Sequence, residues 1–160
     1  MKIIGEKING TRKRVAQAIT ERDAEFIKDL ARKQAEAGSA WLDVNAGTHP
    51  DQEPDDLVWL IENIQSVVDT PLSLDSANPQ ALKIAIESVN KTPMINSISG
   101  ETERLTSILP LVAEHNCPVI ALAMDCRMSV FPAFGGETIR PRWPLPIGAT
   151  RSSTRVVRML

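Results

Sequence analysis

Leu72-Ser73-Leu74-Asp75-Ser76-Ala77-Asn78-Pro79-Gln80-Ala81-Leu82-Lys83-Ile84-Ala85-Ile86, followed by Met94-Ile95-Asn96-Ser97-Ile98, decides how this chain folds. Leu72 to Asp75 is a short apolar run that begins after Pro71, and it reads as a strand. Pro79 opens a helix, where its missing N–H costs little, and Leu82, Ile84, Ala85 and Ile86 supply the apolar residues. Met94 to Ile98 is the next strand. A strand, a helix and a second strand at this spacing form a βαβ unit, and the two strands must then run parallel.

The same alternation extends in both directions. Upstream, Trp41-Leu42-Asp43-Val44-Asn45 reads as a strand that ends in Ala46-Gly47. The helix after it starts near Pro54 and carries an apolar stripe of Leu57, Leu60, Ile61, Ile64, Val67 and Val68. Further upstream, Ile3-Ile4-Gly5 is the first strand. A helix starts at Asp23, a favourable N-cap residue, continues through Phe26, Ile27, Leu30 and Ala31, and stops at Gly38. Downstream, Glu101 to His115 is helical by the spacing of Leu105, Ile108, Leu109 and Val112. Pro118 then leads into a fifth strand, Val119 to Met124, ending at Asp125. About five strands and four helices give an α/β fold with a parallel sheet. Two architectures fit: an open doubly wound sheet, or an eight-stranded β/α barrel of which this is little more than half.

Composition changes after Asp125. No lysine follows, whereas Arg127, Arg140, Arg142, Arg151, Arg155 and Arg158 do, interrupted by Pro132, Pro141, Pro144, Pro146 and Gly135-Gly136. Residues 126–160 read as an irregular Arg/Pro-rich tail with only a weak Val156-Val157 pair, and residues 1–125 as the N-terminal portion of the β/α domain. Three further barrel units would need about 90 residues. The tail is therefore expected not to supply them, a frameshift fits the change of composition, and such an incomplete chain is expected to turn over poorly.

The 160 residues are 42% hydrophobic and 24% charged, as in an ordinary soluble globular protein. A net charge of -2 argues against nucleic acid or an anionic membrane as partner. No apolar run approaches the roughly 20 residues that span a bilayer. The start, Met1 to Glu6, lacks the apolar region of a signal peptide, so a cytoplasmic location is expected. Cys117 and Cys126 read as reduced thiols. His49, in a polar loop, and His115, at a helix end, belong to no metal-binding spacing, so no metal site is expected.

Carboxylates and amides recur at the C-terminal ends of the strands. Glu6 follows the first, with Asn9 in the loop beyond; Asp43 and Asn45 end the second; Asp75 and Asn78 end the third; Asn96 ends the fourth, with Ser97 and Ser99 beyond; Asp125 ends the fifth. Each could simply cap the next helix. However, Asp75 and Asn96 directly follow apolar strand residues, and parallel β/α folds gather their ligand sites at this edge. An Asp accepts two donors and an Asn both donates and accepts, which suits the amino group, ring N–H groups and acceptor nitrogens of a pterin. Few basic residues occupy the strand ends, and neither G-x-G-x-x-G nor a Walker P-loop is present, so a nucleotide is a poorer match.

At these residues the sequence resembles the methyltetrahydrofolate–corrinoid methyltransferases. The motifs are Ile4-Gly5-Glu6-Lys7-Ile8-Asn9-Gly10, Leu42-Asp43-Val44-Asn45-Ala46-Gly47, Leu74-Asp75-Ser76-Ala77-Asn78 and Met94-Ile95-Asn96-Ser97, and the match covers roughly residues 1–125. The resemblance implies a TIM-type (β/α)8 barrel of the pterin-binding kind, here truncated. It implies that Asp75 and Asn96 hydrogen-bond the pterin and that Asp43, Asn45, Glu6 and Asn9 form the surrounding polar shell. The implied reaction moves the methyl group from N5 of methyltetrahydrofolate to the cobalt of a corrinoid. That cobalamin is expected on a separate corrinoid protein, because no Asp-x-His-x-x-Gly pattern occurs here. A homodimer is implied for full-length members. The amide acting near N5 and a further pterin-binding Asp are implied from beyond the fifth strand, and no match for either follows Asp125, which leaves the catalytic residue unassigned. Dihydropteroate synthase is the second reading: Asn96-Ser97-Ile98-Ser99-Gly100 is similar to its Asn-Asp-Ile-Ser-Gly stretch, but its Thr-Pro-Asp-Ser-Phe-Ser loop is absent. A non-catalytic methyltransferase fragment is the third.

Overall fold

A computed structural model describes residues 2–99, 101–123 and 155–159. The elements run β1 (Ile4–Asn9), α1 (Lys13–Glu21), α2 (Ala24–Glu36), β2 (Trp41–Asn45), α3 (Glu53–Gln65), β3 (Leu72–Asp75), α4 (Pro79–Ser88), β4 (Met94–Ser99), α5 (Thr102–His115), β5 (Val119–Ala123) and β6 (Arg155–Met159). Strands β1 to β5 are all parallel and lie side by side in chain order. A doubly wound sheet reverses its strand order at a switch point. Five strands without a reversal instead form an arc of a β/α barrel. Right-handed crossovers that all advance in one direction place every helix on the same face.

The strand pattern explains how two surfaces arise from one sheet. Leu42, Val44, Leu72, Leu74 and Ile95 are buried in the single core, together with Leu57, Leu60, Ile61 and Ile64 of α3 and Ala81, Leu82 and Ala85 of α4. Each fully buried Leu or Ile stabilises the fold by about 1.5–3 kcal/mol. Successive strand residues face opposite ways, so Asp43, Ser73, Asp75 and Asn96 belong to the other, concave face. Register aligns them: Asp43 with Ser73, and Asp75 with Asn96.

Local signals place the helices. Asp23 caps α2, accepting from the Phe26 N–H at 3.2 Å, and Gly38 follows with φ of 84°. Asn78 caps α4, accepting from the N–H groups of Gln80 and Ala81. Arg22, in the left-handed region with φ of 55°, turns the chain between α1 and α2. Its guanidinium pairs with Asp56 at 2.7 Å and lies over the Trp59 ring, tying this turn to α3.

The structure corrects the sequence reading in three places. There are five helices among the described residues, not four, because Lys13–Glu21 is also helical. Strand β1 reaches Asn9, so Glu6 and Asn9 lie in the strand and not beyond it. An irregularity between Gly5 and Ile8 lets β1 pass through Glu6-Lys7 and still bury Ile8 beside Val44. Within the segment read as an irregular tail, Arg155–Met159 forms a strand antiparallel to β5. The β-branched Val156 and Val157 favour extended backbone, and the free edge of β5 offers it a partner. Asp125, Cys126 and the remainder of the tail through residue 154 lie outside the described residues.

Candidate functional site

The concave face carries a connected set of polar side chains at the C-terminal ends of β2, β3 and β4. Asp43 is only 3% exposed. Its Oδ1 accepts from the Ser73 hydroxyl at 2.8 Å and from Asn96 Nδ2 at 2.9 Å. β2 and β4 are not neighbours, so the Asp43–Asn96 bond reaches across β3. The Asn45 Nδ2 donates to Asp75 Oδ2 at 2.9 Å. Four of the six residues singled out from sequence are thus joined in two bonded pairs, and strand register sets Asp75 beside Asn96.

Burial pushes the Asp43 carboxyl above its ordinary pKa; the bonds from Asn96 and Ser73 work against that rise, and the negative charges of Asp75 and Glu6 add to it. Glu6 itself is exposed on β1. Asn9 pairs in register with Asn45, but its Oδ1 is occupied locally, accepting from the Thr11 N–H at 2.9 Å and the Thr11 hydroxyl at 2.7 Å. Asn78 is a helix cap and its Nδ2 donates to the Pro50 carbonyl, so the capping reading is correct for that residue.

Ser73 was missed by sequence reasoning. The period-two alternation of Leu72-Ser73-Leu74-Asp75 was the available signal, since it puts Ser73 on the face of Asp75. The Ser99 hydroxyl, three residues beyond Asn96 at the end of β4, is buried with no hydrogen-bond partner among the described residues, as is that of Thr48 in the β2–α3 loop. Buried polar groups of this kind call for a partner.

The glycines of the motifs shape the rim. A Cβ on Gly10 would stand 1.7 Å from the Ala46 carbonyl oxygen, and the Gly10 N–H donates to the Asn45 carbonyl at 2.8 Å. The β1–α1 and β2–α3 loops therefore touch backbone to backbone. Gly47 completes the contact with φ of 61°, a conformation glycine adopts without penalty. A separate cleft of about 380 Å³, lined by Ile19, Arg22, Thr48, Asp51 and Asp55 among others, lies between the end of α1 and the start of α3 and excludes the linked carboxylates.

What this arrangement can do is accept hydrogen bonds. Among the described residues, none donates to Asp75 Oδ1 or engages Asn96 Oδ1, so two acceptors remain side by side at the strand ends. Among the described residues, no group of three or more His, Cys, Asp and Glu side chains is placed to hold a metal ion. His49 lies in a loop beside Asp51 and His115 ends α5, away from the strand ends. Cys117 is a buried free thiol whose pKa burial raises, and no helix among the described residues is long and apolar enough to cross a membrane.

Fold and site together define a class: a barrel-type domain of parallel β/α units with an acceptor-rich polar site at its strand ends. The family described as pterin binding enzyme matches residues 5–139, and the chain belongs to that family. It is 41% identical over 132 residues to a methylcorrinoid:tetrahydrofolate methyltransferase of Eubacterium limosum, covering 82% of this chain and 49% of that protein. It is 28% identical over 129 residues to methionine synthase of Mycobacterium leprae, and 27% to that of Mycobacterium tuberculosis, covering 77% of this chain and 11% of each. The chain thus spans about half the length of the first relative and a small part of the other two.

Proposed function

We propose that this domain binds the pterin ring of a methylated tetrahydrofolate and orients it for methyl transfer to the cobalt of a corrinoid. The observation that carries the reading is the pair of acceptors, Asp75 Oδ1 and Asn96 Oδ1, side by side on neighbouring strands and unengaged among the described residues. A pterin edge offers an amino group and ring N–H groups, and a carboxylate can accept two of these at once. The similarity to the Eubacterium limosum methyltransferase supports it. That relative's name places the methyl on the corrinoid at the outset, opposite to the direction read here. A site that binds both folate forms serves either direction, since forward and reverse share one transition state.

The corrinoid is a second substrate, brought by a separate corrinoid protein that docks over the strand ends; when bound it supplies a strongly nucleophilic metal. The methyl group leaves N5 and N5 takes up a proton. The part that this chain's described residues perform is positioning. Asp75 and Asn96 hold the ring, and Asn45 restrains Asp75. Fixing the reactive N5–methyl bond relative to the partner supplies much of the acceleration such a reaction needs. Glu6 and Asn9 complete the polar surround on β1. A cytoplasmic setting in one-carbon metabolism and a homodimeric full-length enzyme belong to the same reading.

Titration of methyltetrahydrofolate into the full chain by calorimetry tests it. Asp75→Ala is expected to weaken binding by about 1.5–3 kcal/mol, the range for a hydrogen bond involving a charged group. Equal affinities would remove Asp75 from the site.

A further inference from the structure

We infer that Gln34, on helix α2 behind the sheet, is a positioning residue for the strand-end site: its side-chain oxygen holds an extra residue in β1, and that residue brings the Asn9 amide onto the ligand's face as a hydrogen-bond donor. This rests on the proposed pterin site and adds a donor to its acceptors.

Strands β1 and β2 do not match residue for residue. Gly5 aligns with Leu42 and Ile8 with Val44, so Glu6 and Lys7 together stand opposite Asp43 alone. Side chains alternate along a strand, and Gly5 starts the count on the helix side, since a Cβ there would point at Gln34. A regular strand would then turn Ile8 to the concave face and Asn9 into the helix layer. The extra residue reverses both, as a one-residue slip must. Ile8 is fully buried beside Val44, and Asn9 aligns with Asn45, whose amide reaches Asp75.

An extra residue leaves a backbone group without its place in the ladder. Here the Lys7 N–H donates instead to Gln34 Oε1 at 2.8 Å. Gln34 is buried, and its Nε2 donates to the Leu30 carbonyl at 3.3 Å, which fixes the end of the amide that meets β1. Gly5 leaves room for that end, because a Cβ there would stand 2.7 Å from Oε1. At the far end of the strand, Asn9 Oδ1 is taken up by the Thr11 N–H and hydroxyl. Its Nδ2 has no partner among the described residues, so Asn9 offers a donor. Asp75 and Asn96 accept and Asn9 donates, which matches a pterin that carries both kinds of group. Gln34 touches no ligand and acts through the Lys7 backbone.

The test titrates methyltetrahydrofolate into the full chain by calorimetry, with urea stability measured beside it. Gln34→Met keeps the length of the side chain and removes the acceptor. It is expected to weaken binding about two- to tenfold, the worth of one hydrogen bond. Asn9→Asp keeps both Thr11 contacts, removes the donor and should weaken binding at least as much. The double variant should lose no more than Asn9→Asp alone, because both changes act on one contact. Gln34→Glu retains an oxygen for Lys7 and should bind as wild type. Gly5→Ala displaces the same oxygen and should reproduce Gln34→Met, so it carries the test where Gln34→Met does not fold. A folded Gln34→Met that loses stability but keeps wild-type affinity overturns the inference, as do Gln34→Met and Asn9→Asp effects that multiply, or a Gln34→Glu that binds as weakly as Gln34→Met. Each of these leaves the pterin site intact. A wild type that does not bind methyltetrahydrofolate overturns the pterin site itself, and the role of Gln34 with it.

Discussion

Asn45 donates to Asp75 across the β2–β3 boundary at 2.9 Å, occupying one oxygen of that carboxylate and leaving the other without a partner among the described residues. The bond limits the rotation of Asp75 without using up its capacity to accept. Asn45→Ala should therefore weaken methyltetrahydrofolate binding by about 0.5–1.5 kcal/mol, the net worth of a single hydrogen bond. That is less than removal of Asp75 itself. Calorimetry on both variants settles the order, and an Asn45 effect as large as that of Asp75→Ala would mean that Asn45 meets the ligand directly.

Asp43 gives the protein a pH signature. Burial, with Asp75 and Glu6 nearby, raises its pKa above the ordinary 3.8. The folded chain thus keeps the Asp43 proton to a higher pH than the unfolded chain does. Its contribution to stability is complete below 3.8 and is lost as pH rises through the folded value. Asp43→Asn removes this dependence, so its stability relative to wild type should climb across that window and then level off. Urea denaturation at a series of pH values reads the difference, and two parallel curves would show that Asp43 titrates normally.

The contact between Gly10 and Ala46 tolerates no side chain. Because a Cβ would fall 1.7 Å from a carbonyl oxygen, Gly10→Ala must push the β1–α1 and β2–α3 loops apart. A loss of about 3 kcal/mol is expected, the upper end of ordinary overpacking. An unchanged urea midpoint would mean that the two loops separate freely.

Asn78 separates a structural amide from a ligand-facing one. It caps α4 through two backbone N–H groups, so Asn78→Ala should cost about 1 kcal/mol of stability. Folate affinity should stay as in wild type. A variant that loses affinity with unchanged stability would move Asn78 into the site.

Much of the architecture was legible from the sequence because its physical causes are local. Strand β2 and strand β3 were read with their observed limits, since each apolar run is bounded by a residue that stops it. Asp23, Pro54 and Asn78-Pro79 mark helix starts by capping chemistry that depends on one turn of backbone. Helix α1 was missed because Arg12 gives it no side-chain cap; the buried Val15, Ala18 and Ile19 held the only signal. The end of β1 was misread because Glu6-Lys7 breaks the apolar run, and only pairing with β2 shows that the strand continues.

By itself the sequence determined the βαβ alternation, the helix-facing apolar residues and the placing of Asp and Asn at strand ends, all of which follow from periodicity and chain direction. It left a doubly wound sheet and a barrel both open, because local periodicity carries no information on strand order. Tertiary structure decided that order, and with it which polar groups meet. Asp43 and Asn96 are 53 residues apart in sequence, and no local rule joins β2 to β4. Only the sheet, by setting β3 between them and turning their side chains to one concave face, makes a buried carboxylate hold a distant amide in one orientation.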